Sequence, residues 1–272
     1  MRLDKLAWIA VLTASLAGGC ASPDVTGPFT GSPHYYVVDG LTMPRSRTDF
    51  ADDLNGDARV DNQLGAIAEV LDGQGFGPSG LPADASLTLL TDDATLEHDE
   101  HAAIVWQGAR DAEPVTIGGR LESGRFTSNR TRTTLAPASG TVALPLVDGA
   151  DPAALDVIGL EIELTPDGAD GFDGELHAAL DPAQALSAAY GALLQMLAAR
   201  PLLRSLVIGA FDADGDGRIS LDEFAASPAV HALAAPDVQL FDDAGRWAPN
   251  PANDHKDSLS LGARFHLARK ER

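Results

Sequence analysis

The sequence predicts an α+β protein in which an antiparallel β body, a sandwich or a barrel-like sheet, precedes a helical segment near the C-terminus. Between about residues 86 and 180, short runs alternate between apolar and polar residues and are separated by Gly, Pro, Asp and Asn. After Asp181 the pattern changes to an Ala- and Leu-rich stretch with helical spacing. Alternation at a period of two is typical of antiparallel sheets that bury one face.

The composition limits the classes of partner. The chain has 272 residues with 40 acidic and 19 basic side chains, a formal net charge of −21. Such an acidic surface repels phosphate backbones, so no nucleic-acid partner is expected. The apolar fraction of 44% is enough for a packed core, and 27 glycines with 17 prolines predict many turns.

The β body is expected to span residues 35–180. Its first strand is predicted at Tyr35–Pro44, and an acidic loop then leads into a helix over residues 62–71. The clearest later strand places Ile158, Leu160, Ile162 and Leu164 on one buried face, with the intervening residues in water. Residues 236–272 are predicted to form a loop and then a closing strand, SLSLGARFHLA, that packs on the body.

The helical segment is expected to span residues 181–235. Asp181 is a good N-cap, Pro182 suits the first helical turn, and Pro201 ends the helix after Arg200. A second helix, Leu202–Phe211, is predicted before the loop DADGDGRISLDE, and a short helix follows from Leu221.

The first 20 residues resemble a bacterial lipoprotein signal. A basic start precedes an apolar stretch, Leu6–Ala17, that is too short to span a membrane, and Ala17-Gly18-Gly19-Cys20 has the form of a lipobox. The resemblance implies removal of residues 1–19, acylation of Cys20 and a place in the bacterial cell envelope, at the outer membrane. The bilayer would then be a partner through Cys20. The alternative is an ordinary secreted protein in which Cys20 is incidental. The segment 20–34 is rich in Pro, Gly, Ser and Thr, and this composition predicts a flexible tether.

Residues 212–223 match the spacing of a calcium loop. Carboxylates occupy positions one, three and five, glycine occupies position six, and a glutamate closes position twelve. The loop resembles that of EF-hand proteins, which implies Ca²⁺ as the bound metal. The alternative is a solvated acidic turn. The expected ligands are Asp212, Asp214, Asp216, the carbonyl of Arg218, Ser220 and Glu223.

A second loop, beginning at Asp53, resembles the first nine positions of a dockerin-like or EF-type calcium loop. Its candidate ligands are Asp53, Asn55, Asp57 and Asp61. It departs from the pattern because Ala58 replaces the turn glycine and Leu64 stands where the closing carboxylate belongs. The alternative is an Asx-rich turn in which Asp61 or Asn62 caps the next helix. A third acidic stretch, residues 167–175, is expected to be a hairpin loop.

No catalytic pattern stands out. His98 and His101 in EHDEH lack the spacing of a metalloprotease helix and are expected to lie in a polar loop. The sequence does not decide whether the protein is an enzyme. A non-enzymatic role in the envelope or at the surface is expected. In that role the calcium loop clamps helices on the β body. The alternatives are a calcium-dependent adhesion or glycan-binding protein and a calcium-stabilised surface hydrolase. The sequence identifies neither a protein nor a glycan partner.

Overall fold

The computed structural model describes residues 24–72, 85–132, 137–144, 146, 152–250 and 255–270. The nine strands described are β1 Ser32–Thr42, β2 Ser86–Thr91, β3 His98–Gln107, β4 Val115–Glu122, β5 Arg125–Ser128, β6 Ser139–Leu144, β7 Ala153–Pro166, β8 Phe172–Leu180 and β9 Leu259–Arg269. The helices are α1 Gln63–Asp72, α2 Pro182–Ala199, α3 Arg204–Phe211, α4 Leu221–Ala226 and α5 Pro228–Leu233, with a 3₁₀ turn at Pro201–Leu203 between α2 and α3.

The nine strands form one antiparallel sheet in the order β5-β4-β3-β2-β1-β9-β8-β7-β6. Strand β5 also pairs with β7, with Phe126 opposite Leu164 and Thr127 opposite Glu163, so the sheet closes on itself. The predicted antiparallel body is therefore confirmed. A single continuous sheet encloses a core of aliphatic and aromatic side chains, among them Tyr36, Phe126 and Leu261.

Strand β7 departs from the predicted alternation between Val157 and Glu161. Leu160, Ile162 and Leu164 are buried as expected, but Ile158 is only partly buried, and Val157 takes the buried position instead. The register of β7 on β8 shifts between Ile158 and Glu161, and Gly159 lies in the left-handed region with φ 66°. An extra residue in a strand turns every later side chain to the other face. The prediction for Ile158 was therefore wrong.

The predicted closing strand is confirmed as β9, which lies between β1 and β8. The predicted flexible tether is wrong over its described part. Val25 is buried and exchanges two hydrogen bonds with the side chain of Asn129, at 2.9 and 2.8 Å, and β1 begins at Ser32. These long-range contacts hold the chain on the sheet from Val25 onward. Cys20 and the signal sequence lie outside the described residues.

The helices follow the local signals closely. Asp181 caps α2 by accepting hydrogen bonds from the amides of Ala183 and Gln184, both at 2.9 Å. Ala185 and Ala188 of α2 pack against the sheet core. In the described part of the chain, no single helix is long and apolar enough to cross a membrane. Two helical stretches that meet at a bend of 109° have the necessary length and apolar character only when they are taken together: Pro182–Ala199 and Pro201–Phe211.

Candidate metal centre

The loop between α3 and α4 brings three aspartates together. Asp212, Asp214 and Asp216 each offer one carboxylate oxygen, and the three oxygens lie within 4.8 Å of one another. Like charges at this distance repel unless a cation or protons intervene. Hard oxygen ligands of this kind are those that Ca²⁺ prefers.

Backbone amides hold the first aspartate in place. The carboxylate of Asp212 accepts hydrogen bonds from the amides of Gly215 at 2.7 Å, Asp216 at 3.2 Å and Gly217 at 2.9 Å. Gly215 and Gly217 have φ angles of 76° and 80°, which residues with a side chain rarely adopt. The two glycines therefore allow the chain to wrap around the carboxylates.

Glu223 connects the two ends of this loop. Its Oε1 accepts a hydrogen bond from the amide of Ala213 at 2.9 Å, and its Oε2 accepts bonds from the amide and hydroxyl of Ser220, both at 2.8 Å. Ser220 in turn caps α4, and the two residues form a capping box. The hydrogen bonds from Ser220, then that from Ala213, lower the pKa of Glu223 to about 2. The closing carboxylate is therefore charged at neutral pH.

The loop is tied to α2 by Tyr190, which the sequence pattern does not single out. Tyr190 donates a hydrogen bond from its hydroxyl to the carbonyl of Ile219 at 2.7 Å, and Ile219 is buried. The rings of Tyr190 and Phe211 each lie against Phe224, with centroids 5.8 and 5.5 Å away. A lone tyrosine in an Ala-rich helix carries no sequence signal of this contact, because its partner is 29 residues away.

The loop that begins at Asp53 repeats the hydrogen bonds of the first loop. The carboxylate of Asp53 accepts from the amides of Gly56 at 2.7 Å, Asp57 at 3.0 Å and Ala58 at 3.0 Å. These are the bonds that Asp212 makes at the equivalent positions. Ala58 has a φ of 64°, so it adopts the left-handed conformation expected of the glycine that it replaces.

Asp61 stands at the ninth position of this second loop. Its Oδ2 is buried and has no hydrogen-bond partner among the described residues. Burial, followed by the nearby charges of Asp237 and Asp57, raises the pKa of Asp61 to about 7. The helix cap is supplied by Asn62, whose side chain accepts from the amide of Gly65 at 3.0 Å. Capping therefore does not occupy the carboxylate of Asp61.

Two basic side chains lie beside the second loop. Arg132 contacts Asp53 at 3.0 Å, and Lys256 lies 3.5 Å from Asp57. In each ion pair the basic group contacts only the Oδ2 atom of the aspartate. The Oδ1 atom takes no part in the ion pair. The protein itself thus partly neutralises the second loop, whereas the described part of the chain places no ion pair on Asp212, Asp214 or Asp216.

A partly buried ion cluster lies next to the second loop on the outer face of the sheet. Arg130 contacts Asp52, as well as Glu161 at 3.0 Å and Glu163 at 2.7 Å. Glu161 was expected to face water, but it is only 2% exposed, because the segments that carry Asp52 and Arg130 cover it. Burial raises the pKa of Glu161 despite Arg130. The cluster holds the chain just before Asp53 against β7.

His177 of β8 lies beside that cluster. Its two ring nitrogens are buried and lack hydrogen bonds within the described structure, although they lie 3.7 Å from Asp52 and 3.9 Å from Glu175. Burial lowers the pKa of His177, against the opposing effect of these carboxylates. The imidazole is therefore neutral at neutral pH.

The remaining acidic and histidine-containing stretches are not brought into a metal group. His98 and His101 lie at the start of β3, so the predicted polar loop is wrong there. Among the described residues, one group of three or more His, Cys, Asp or Glu side chains has its ligand atoms close together. It consists of Asp212, Asp214 and Asp216. The stretch at residues 167–175 forms the turn and first residues of the β7–β8 hairpin, as predicted.

We compared the chain with protein-family models, with curated proteins and with solved structures, and found no match in any of the three.

Proposed function

We propose that this chain is a calcium-binding protein whose first site is the EF-hand-like loop 212–223. The observation that carries the proposal is the convergence of three aspartate oxygens within 4.8 Å. Calcium would also take the carbonyl of Arg218, Ser220 directly or through water, and the carboxylate of Glu223. Glu223 is charged and already spans both ends of the loop, which supports this role.

The bound ion would act as a structural clamp. The loop joins α3 to α4, Tyr190 and Phe224 join it to α2, and α2 packs on the sheet. Ordering the loop would therefore stiffen the contact between the helices and the sheet. Outside the cytoplasm calcium is plentiful, so a dissociation constant of about 10⁻⁴ to 10⁻³ M is sufficient for such a role.

Calorimetric titration with calcium and thermal unfolding test this proposal. We expect several degrees of stabilisation in millimolar calcium relative to EDTA, and we expect Glu223→Gln to remove it. Asp222→Asn is the matched control, because Asp222 is the adjacent acid of α4 and lies outside the ligand set. Equal melting temperatures with and without calcium, together with no heat of binding, would reject the clamp.

We further propose that the Asp53 loop is a second calcium site. Asp53, Asn55 and Asp57 would supply ligands, and Asp61 would replace the missing carboxylate at position twelve. The support is the repeated bonding pattern and the unpartnered, buried oxygen of Asp61.

The number of bound ions tests this second site. We expect the wild-type protein to bind two calcium ions and Asp61→Asn to bind one. Asp243→Asn, at an exposed acid outside both loops, is the control and should bind two. A wild-type protein that binds one ion, lost in Glu223→Gln, would leave the first site intact and reject the second.

We also propose that the protein is exported and held in the bacterial envelope by an acylated Cys20, with a non-enzymatic role there. The lipobox Ala17-Gly18-Gly19-Cys20 carries this proposal. Mass spectrometry of protein purified from a bacterial host should show loss of residues 1–19 and a diacylglyceryl adduct. Cys20→Ser should abolish the adduct and release the protein from membranes.

A further inference from the structure

The helical segment from Pro182 to Phe211 leaves large apolar side chains in solvent. Leu194 is 44% exposed, Leu206 is 73% exposed and Leu202 is 95% exposed. These are three of the six large apolar residues exposed on the part of the chain that the structure describes. Leu202 and Leu206 are only four positions apart, and two strongly exposed leucines so close in the chain are more informative than a single one, which is common.

The most exposed leucine lies where the helices bend. Leu202 belongs to the 3₁₀ turn between α2 and α3, whose axes differ by 109°. A side chain with 95% exposure projects from the surface and does not line a groove. The aromatic rings nearby, Tyr190 and Phe211, pack against Phe224. The bend therefore presents projecting aliphatic groups, not a cleft for a peptide.

The charge of this segment differs from that of the rest of the chain. Residues 182–211 contain no Asp or Glu, although the whole chain has 40. The two charged residues in this range are Arg200 and Arg204, both exposed and both within two positions of Leu202. The net charge of −21 opposes binding to phosphates by long-range attraction, and the acidic loop begins directly after Phe211, so the contact has to be local and apolar. Two basic side chains beside projecting leucines match the chemistry of an anionic lipid surface at that scale, with phosphates above an apolar layer.

We propose that the bend between α2 and α3 docks on an anionic lipid bilayer. Leu202 and Leu206 enter the boundary between headgroups and acyl chains, while Arg200 and Arg204 contact phosphates. The aliphatic stems of the arginines lie along the apolar layer as their charged ends stay in the headgroup region. This contact is separate from the proposed calcium sites and from acylation of Cys20.

Vesicle flotation tests the proposal. The protein used lacks residues 1–23 but keeps every described strand and helix, and all samples contain EDTA, so neither lipidation nor calcium contributes. We expect it to float with vesicles of equal phosphatidylglycerol and phosphatidylcholine, and to bind vesicles of phosphatidylcholine alone several-fold less. Leu202→Ser combined with Leu206→Ser should lower partitioning about tenfold or more.

Matched variants separate the contribution of the leucines from that of the arginines. Arg200→Gln combined with Arg204→Gln should remove the preference for phosphatidylglycerol. Val60→Ser, at a valine that is 53% exposed outside this segment, should bind as the wild-type protein does. Circular dichroism of each variant checks the fold, which changes at exposed positions should leave intact.

Three outcomes would overturn the proposal. The first is a wild-type protein that stays in the aqueous phase with every vesicle, and the second is a double-leucine variant that floats equally well. The third is a concentration-dependent dimer in light scattering that the leucine changes abolish, because a second copy of the chain would then cover Leu202 and Leu206. None of these outcomes bears on calcium binding, which is measured separately.

Discussion

At the scale of single residues, the structure depends on buried charges that are held in pairs. Glu161 is nearly fully buried, and Arg130 is the cation that faces it. Taking two charges out of water costs several kcal/mol each, and the pair recovers this only while both members remain. Arg130 is therefore a structural residue of the outer sheet face.

We predict that Arg130→Met lowers the free energy of unfolding by about 3 kcal/mol at neutral pH, because it leaves the carboxylate of Glu161 without its cation. The measurement is urea denaturation. Arg125→Met is the matched control: Arg125 also contacts Glu163, but its side chain is 55% exposed, so a loss of under about 1 kcal/mol is expected. Equal losses of unfolding free energy in the two variants would show that the contact between Arg130 and the buried Glu161 adds no stability beyond that of a surface ion pair.

At the scale of elements, the bulge in β7 decides which side chains face the core. Gly159 has a positive φ, and a Cβ added there would lie 2.9 Å from Cγ2 of Thr131 and 3.0 Å from the ring of Trp247. Both the backbone conformation and the space therefore require glycine. This residue aligns the buried half of β7 with β8 and turns Glu161 outward.

We predict that Gly159→Ala lowers the free energy of unfolding by about 2 to 4 kcal/mol, since backbone strain and overpacking add. Gly168→Ala is the comparison, because Gly168 has a φ of 83° but open space around its Cα. That variant should lose only about 1 kcal/mol, from backbone strain alone. Thermal or urea unfolding of both variants measures the difference, and similar losses would rule out the packing contribution at Gly159.

At the scale of the whole molecule, His266 joins three distant parts of the chain. Its Nδ1 contacts Asp39 of β1, and its Nε2 lies 3.1 Å from Asp167 in the β7–β8 turn. The hydrogen bonds to Asp39 and then Asp167 raise the pKa of His266 above its usual value of 6.5. A proton on this histidine therefore favours the folded chain.

We predict that this contribution depends on pH with a definite sign. Because the folded pKa lies above the unfolded value, the stabilisation is complete below the unfolded pKa of 6.5 and is lost as the pH rises through the folded pKa. The difference in unfolding free energy between wild type and His266→Gln should thus be larger at pH 5.5 than at pH 9. His231→Gln, at an exposed histidine of α5, is the control. A difference that does not change with pH would refute the bridging role.

The sequence by itself determined the features that depend on residues close together in the chain. Alternating apolar residues predicted an antiparallel body, Asp181 and Pro182 set the start of α2, and loop 212–223 carries all the ligands proposed for its calcium site within twelve positions. Local geometry follows from local bonds, so such signals can be read directly.

Only the tertiary structure decided the features that join distant residues. The pairing of β5 with β7 closes the sheet, Arg130 contacts Glu161, and the charge of Asp237 acts on Asp61 across 176 positions of sequence. The shift at Gly159 also escaped prediction, because Val157 and Ile158 are both apolar, and this hides the change of phase that the bulge introduces. Long-range contacts arise from how the strands pair, and no local pattern specifies which strand lies beside which.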